Sequence, residues 1–201
     1  MVKCLIRVAV ASVLSCGIAF ATDKVSIEGK EKITRNGVNI FLEPNSANKQ
    51  KYLNGEFDKT LEAMKKAYEA NKNNKVMKAP APAVYYVAVL GVVSEQGGRE
   101  ELAENQTATN NDHGGNPFVV HTLVLGYGGG SNDRAKFAGN EAVQLSSEGM
   151  DYTGNNIIDG WYDIWDISKP ANSSGTFEFT SRSINAPGNS MSTSVQLGRM
   201  L

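Results

Sequence analysis

Thiols and imidazoles are scarce in this chain, whose 201 residues hold two cysteines and two histidines. Both cysteines, Cys4 and Cys16, fall among the first 21 residues. Beyond them there is no thiolate nucleophile, no disulfide and no cysteine-ligated zinc, so a packed core or bound ions must supply stability. No apolar run is long enough to span a bilayer either, since spanning takes about 20 residues and Val8 to Ile18 falls short. A basic excess is also missing. The formal charge is −1, which argues against nucleic acid as a partner because phosphate neutralisation needs a basic face. Sequence signatures of catalysis are absent as well: no G-x-S-x-G elbow, and no S-x-x-K ahead of a helical pattern. The glycine run Gly126-Tyr127-Gly128-Gly129-Gly130 lacks the Lys-[Ser/Thr] of a phosphate loop and reads as a strand connection.

What is present begins with a leader. A basic start, the apolar stretch Val8 to Ile18 and Ala19-Phe20-Ala21 have the build of a secretory signal peptide, residues 1–21, cleaved after Ala21. The rival reading makes Val13-Leu14-Ser15-Cys16 a lipobox and Cys16 a lipidated terminus. Either way the chain is expected in the periplasm or outside the cell, with no transmembrane segment after cleavage.

The mature chain divides by charge. Residues 22–78 carry 12 Lys/Arg against 8 Asp/Glu, and residues 79–201 carry 6 against 13. Ala79-Pro80-Ala81-Pro82-Ala83 marks the change, an extended linker over 79–83. Before it, Val25–Glu28 and Val38–Leu42 read as strands. Asn54 reads as the N-cap of one helix reaching about Asn71, with Phe57, Leu61, Met64 and Tyr68 on one face and Lys59, Glu62 and Lys66 opposite.

After the linker the period becomes that of strands. Val84–Val93 is apolar enough for a strand covered on both faces, and Val119–Tyr127 repeats it. Ala135–Val143 reads as a hairpin about Gly139-Asn140. Ile157–Ile167, Thr176–Arg182, with Phe177 and Phe179 on one face, and Met191–Leu197 follow. Short strands between Gly, Asn and Ser turns predict a mostly β fold: an antiparallel β-sandwich over 84–201, of immunoglobulin-like layout, preceded by a short α-helical segment.

The runs Gly97-Gly98-Arg99-Glu100-Glu101-Leu102, Asp112-His113-Gly114-Gly115, Leu123-Val124-Leu125-Gly126-Tyr127-Gly128 and Ser183-Ile184-Asn185-Ala186-Pro187 resemble the YolA-like family of secreted bacterial proteins of unknown function, over about Pro82 to Leu201. The resemblance implies export and one β domain; it carries over no catalytic residue.

Three clusters are candidate sites. Asp112 and His113, in a polar loop closed by two glycines, suit a general base or simply a bonded turn; with His121 they would make a two-His, one-carboxylate metal site. His121 shares its strand face with Val119, Leu123 and Leu125, where a partnered, half-buried imidazole is the plain alternative. Asp151, Asn155 and Asp159 offer hard oxygens to calcium, although Asp, Asn and Gly are also ordinary turn formers. No organic cofactor is expected. Alternation puts Trp161 and Trp165 on one strand face and Tyr162 on the other; one face must line the core, and the outward one could stack on a glycan. These features point first to a secreted, non-enzymatic binding module for an envelope protein or glycan. The alternatives are a hydrolase centred on Asp112 and His113, metal-assisted or acid–base, and an effector whose N-terminal part acts as a pro-segment.

Overall fold

The computed structural model describes residues 27–74, 83–169, 174–184 and 188–198. The leader and all of the Ala-Pro linker but Ala83 lie outside them. Among the described residues, eleven strands form two antiparallel sheets in a β-sandwich, with two α-helices before its main body. The larger sheet holds β1 (Glu31–Arg35), β2 (Val38–Leu42), β3 (Val84–Ser94), β4 (Gly98–Glu101), β5 (Phe118–Gly126), β8 (Val143–Asp151) and β9 (Gly160–Asp166), in the order β1-β2-β8-β9-β5-β3-β4. The smaller has β6 (Asp133–Phe137), β7 (Asn140–Glu141), β10 (Gly175–Arg182) and β11 (Ser190–Leu197), in the order β11-β10-β6-β7. Helices α1 (Lys49–Asn54) and α2 (Asp58–Asn71) lie between β2 and β3 in the chain.

The larger sheet is apolar on both sides. Val120, Val124, Trp161 and Trp165 meet Phe137, Phe177, Phe179 and Val195 of the smaller sheet. On the other face Leu123, Leu125, Tyr162 and Ile164 meet Tyr52, Phe57, Leu61, Met64 and Tyr68 of the helical segment. Strand β3 serves both cores through two bulges, at 84/86 and 89/91, each of which inverts the in–out alternation. Val84 and Val92 therefore face the smaller sheet, and Ala88 and Leu90 face the helices.

Several element boundaries differ from the sequence reading. Of the strand expected at 25–28, residues 25 and 26 lie outside the described residues, and Ile27 accepts a turn bond from Lys30 instead. The first strand is β1, joined to β2 through Asn36 and Gly37 at φ 51° and 76°, a turn that Asn-Gly favours. Asn54 does not cap a long helix. It ends α1, Gly55 stops that helix at φ 80°, and α2 begins after Phe57. Arg35 forks onto both carboxylate oxygens of Asp58 at 2.8 and 2.6 Å, fastening the start of α2 to β1. The later hairpin turns one residue early, at Ala138-Gly139. Finally, Ser146 and Ser147 lie in β8, a strand that is not among those read from the sequence. Their polarity is internal: Ser146 Oγ accepts from Asn48, and Gln144 donates to Asp163 across the sheet.

The helical face is as much core as the intersheet face, which makes its energetics testable. Leu61→Ala should cost about 2–5 kcal/mol in urea unfolding, the range for a fully buried leucine. Glu62→Ala, on the exposed side of the same helix, should stay within about 0.5 kcal/mol.

Candidate functional site

His121 sits on β5 facing the helices, as alternation requires. Tyr162 of β9 bonds through its hydroxyl to His121 Nδ1. Tyr162 is also the ladder partner of Glu148 on β8, which points the same way. Glu148 is 1% exposed; Asn48 Nδ2 donates to it at 2.6 Å and the Tyr52 hydroxyl donates to its other oxygen. Phe57 packs edge-on to Tyr162 with centroids 5.9 Å apart and tilts against Tyr52 at 4.8 Å.

Around this network is a cavity of about 580 Å³. Its walls include Phe57, Val119, Leu145 and Ile164, with His121 and Glu148 inside and Lys51, Arg99, Glu43 and Glu56 among the charged groups. Burial, followed by the charges of Arg99 and Lys51, lowers His121 to about 3, so the ring is neutral. A neutral imidazole has one N–H and one lone pair. Tyr162 engages Nδ1, and Nε2, in a side chain 94% buried, has no protein partner. Burial raises Glu148 despite the bonds from Tyr52 and Asn48, and raises Tyr52 and Tyr162 far above the ordinary phenol value, with Glu148 adding to both. The site is a buried polar network with one unpartnered ring nitrogen at its edge.

His113 is elsewhere and differently used. It is fully buried, its ring stacked on Phe118 at 6.3 Å. Ser94 Oγ lies 2.9 Å from Nδ1, and Glu100 Oε2 lies 3.2 Å from Nε2. The carboxylate bonded to His113 is therefore Glu100, while Asp112 is exposed. Glu100 also accepts from the amides of Asn110 and Asn111 and from Gln106. Burial pushes it up, but these donors more than offset that and hold it below the usual range. The order serine, imidazole, carboxylate has the connectivity of an acyl-transfer relay. Ser94 is nevertheless shut in: the Gly97 amide donates to its hydroxyl, and a Cβ on Gly97 would fall 2.4 Å from His113 Nδ1.

The two histidines do not meet. One packs on Phe118, a residue of the intersheet core, and the other faces Phe57 and Tyr162 on the helical side. Among the described residues no three His, Cys, Asp or Glu side chains gather as a metal-binding set. The acidic loop is closed on itself. Asp151 accepts from Thr153, Gly154, Asn156 and Asn39, and Asn155 accepts from the Ile157 amide. Asp159 accepts from the Tyr152 amide. These donors outweigh burial and keep Asp151 low, so its oxygens are turned to N–H groups of the loop.

Trp161 and Trp165 are 5% and 3% exposed in the intersheet core, and Tyr162 is buried beneath the helices. A sugar-stacking face needs a ring at the surface, and none of the three is there. Gly129, at φ 98°, lies so close to Trp161 that a Cβ would fall 2.3 Å from the ring. The glycine loop is thus a lid on the core.

Sequence reasoning missed Ser94, Glu100, Tyr52 and Glu148. The first pair could have been sought among polar residues at the ends of β3 and β4. Glu148 had a weaker signal, a lone carboxylate in a polar stretch with no strand periodicity.

The depressed His121 value fixes a pH dependence. The unfolded ring protonates near 6.5 and the folded one near 3, so stability is complete above about pH 6.5 and is lost as pH falls toward 3. Urea unfolding of the wild type should weaken over that window by up to ~1.4 kcal/mol per pH unit relative to His121→Gln, which removes the titration. Parallel curves for the two proteins would refute a buried neutral ring.

No curated protein matches the chain. A family profile described as a domain of unknown function does match, over residues 79–197, more than half of the sequence and all of β3 to β11. The protein belongs to this family, DUF4879.

Proposed function

We propose that the protein is a non-enzymatic binding module acting in the periplasm or outside the cell, and that the cavity beside His121 takes its ligand. The observation that carries this reading is the unpartnered His121 Nε2 at a cavity of about 580 Å³. Buried polar atoms are almost always bonded, and one left over beside open volume fits a group brought by a ligand. Apolar walls and charges of both signs at the cavity suit a neutral or zwitterionic molecule. A hydroxyl or amide would bond to His121, as the end of a glycan or peptide could. The leader-like first 21 residues and the resemblance to exported YolA-like proteins support the location. Among the described residues no helix is long and apolar enough to cross a membrane.

Leu145 is 57% exposed and lines the cavity, so it can be enlarged without disturbing the core. Envelope oligosaccharides and short peptides should be titrated against the chain from Thr22 and followed by thermal melting. A ligand at about 100 times its Kd stabilises the native state by roughly 2.7 kcal/mol. The expected result is a saturable rise in midpoint that Leu145→Trp abolishes while keeping the unliganded melt.

The relay of Ser94, His113 and Glu100 favours a second reading, a hydrolase whose residues 95–98 move aside. Ester turnover, or fluorophosphonate labelling of Ser94, that disappears in His113→Ala would replace the binding module with that reading.

A further inference from the structure

The open position on His121 has a definite sense. Tyr162 is fully buried, and burial raises its phenol far above the ordinary value, so the hydroxyl keeps its hydrogen. Among the described residues, the one bond that hydroxyl makes is to His121 Nδ1. A neutral imidazole carries one N–H and one lone pair, so an Nδ1 that accepts from Tyr162 puts the ring hydrogen on Nε2. The unpartnered nitrogen beside the cavity is thus a donor, and a ligand must bring it an acceptor.

The surrounding charges select the kind of acceptor. Lys51 is exposed on α1, its Nζ 5.9 Å from the centroid of the Phe57 ring that walls the cavity. Lys49 on the same helix is paired with Glu31 at 2.6 Å, whereas no carboxylate among the described residues lies at ion-pair distance from Lys51. Arg99 of β4 bonds through Nε to Glu101 at 2.7 Å and through Nη2 to Thr60 at 2.6 Å, leaving Nη1 outside both bonds. Both cations are close enough to act on the His121 ring. Of the acids at the cavity, Glu43 is paired with Lys30 at 2.5 Å, and Glu148 accepts from Asn48 and Tyr52. Glu56, exposed between α1 and α2, is the other. An unpaired lysine, a spare guanidinium nitrogen and the His121 donor therefore face a single open acid.

We propose that this cavity takes a free carboxylate joined to an apolar group, as at the C-terminal end of a peptide or the head of a short fatty acid. The carboxylate accepts from His121 Nε2 and is neutralised by Lys51 and Arg99, and the apolar group lies against Phe57, Val119, Leu145 and Ile164. Its two oxygens offer about four acceptor sites, enough for these donors together, where an amide oxygen offers about two. Charge-assisted bonds are also the stronger ones. This inference rests on the ligand reading of the cavity and names the chemistry of the ligand.

The test is calorimetric titration of the purified protein with N-acetyl-alanyl-leucine, with its C-terminal amide and with octanoate. The two dipeptides differ only in the carboxylate. The free acid should bind saturably and at least about tenfold more tightly than the amide. Lys51→Ala should weaken the acid by roughly tenfold and leave the amide unchanged. Lys51 is exposed, so this variant should keep the wild-type melt. Nitrogen NMR of the unliganded protein should show His121 Nδ1 bare and Nε2 protonated, a readout that needs no variant. Tighter binding of the dipeptide acid than of octanoate assigns a peptide end, and the reverse a fatty acid; either supports the carboxylate. Equal binding of acid and amide, or a hydrogen on Nδ1, would overturn the carboxylate and leave the cavity a ligand site. Silence of all three probes beside oligosaccharide binding that Leu145→Trp abolishes would do the same. Silence of every probe, oligosaccharides included, would remove the ligand reading as well.

Discussion

A sheet that is apolar on both faces cannot remain a two-layer object. The larger sheet presents Trp161, Trp165, Val120 and Val124 to one side and Leu123, Leu125, Tyr162 and Ile164 to the other. Each face must be shielded from water, at about 25 cal/mol per Å² of apolar surface. The smaller sheet covers the first. The second is covered by α1 and α2, and β2 extends the same sheet by pairing with β8. The two bulges in β3 follow from this demand, since only a strand that changes face along its length can contribute to both cores.

Within that frame, buried carboxylates serve three different ends. Glu100 and Asp151 collect N–H donors from loops and are held low by them, so each stabilises a local fold that depends on its ionised form. Glu148 sits among Tyr52 and Asn48 and is raised by its surroundings, linking the helical segment to β8. Asp133 and Asp163 are buried between the sheets and accept from the Gly129 amide and Gln144, tying a loop and β8 to the intersheet core. The contrast separates the histidines too. His113 has a partner on each nitrogen and no approach from solvent, the signature of a structural residue. His121 has a partner on one nitrogen only and lies beside open volume.

The strand content was legible wherever apolar residues dominate. Val84–Val93, Thr176–Arg182 and Met191–Leu197 lie within β3, β10 and β11, and the faces assigned to His121, Trp161, Tyr162, Phe177 and Phe179 are those in the structure. Periodicity reports burial, and these residues are buried. Strand β8 was illegible for the same reason: Gln144, Ser146, Ser147 and Glu148 are polar residues whose partners are distant in sequence, so they look like a solvated loop. Asn36-Gly37 was legible in principle, a hairpin signal set between two short strands. The partner of His113 was not, because Glu100 is 13 residues away and Asp112 is adjacent. Sequence proximity favoured the neighbour, and the pairing of β3 with β4 brought in the other.

The family profile begins at residue 79, yet the candidate site does not. Asn48, Lys51 and Phe57 come from the helical segment, and Val119, His121, Leu145 and Glu148 from the matched region. Glu148 shows why the two halves are inseparable: its carboxyl is satisfied by Tyr52 and Asn48, both outside the match. A related domain without an equivalent of residues 27–74 would keep the sandwich but leave Glu148 without those donors and lose one wall of the cavity. The cavity is therefore built jointly by the N-terminal segment and the matched region. The intersheet core, by contrast, is built mainly from the matched region, with Phe41 of β2 joining it.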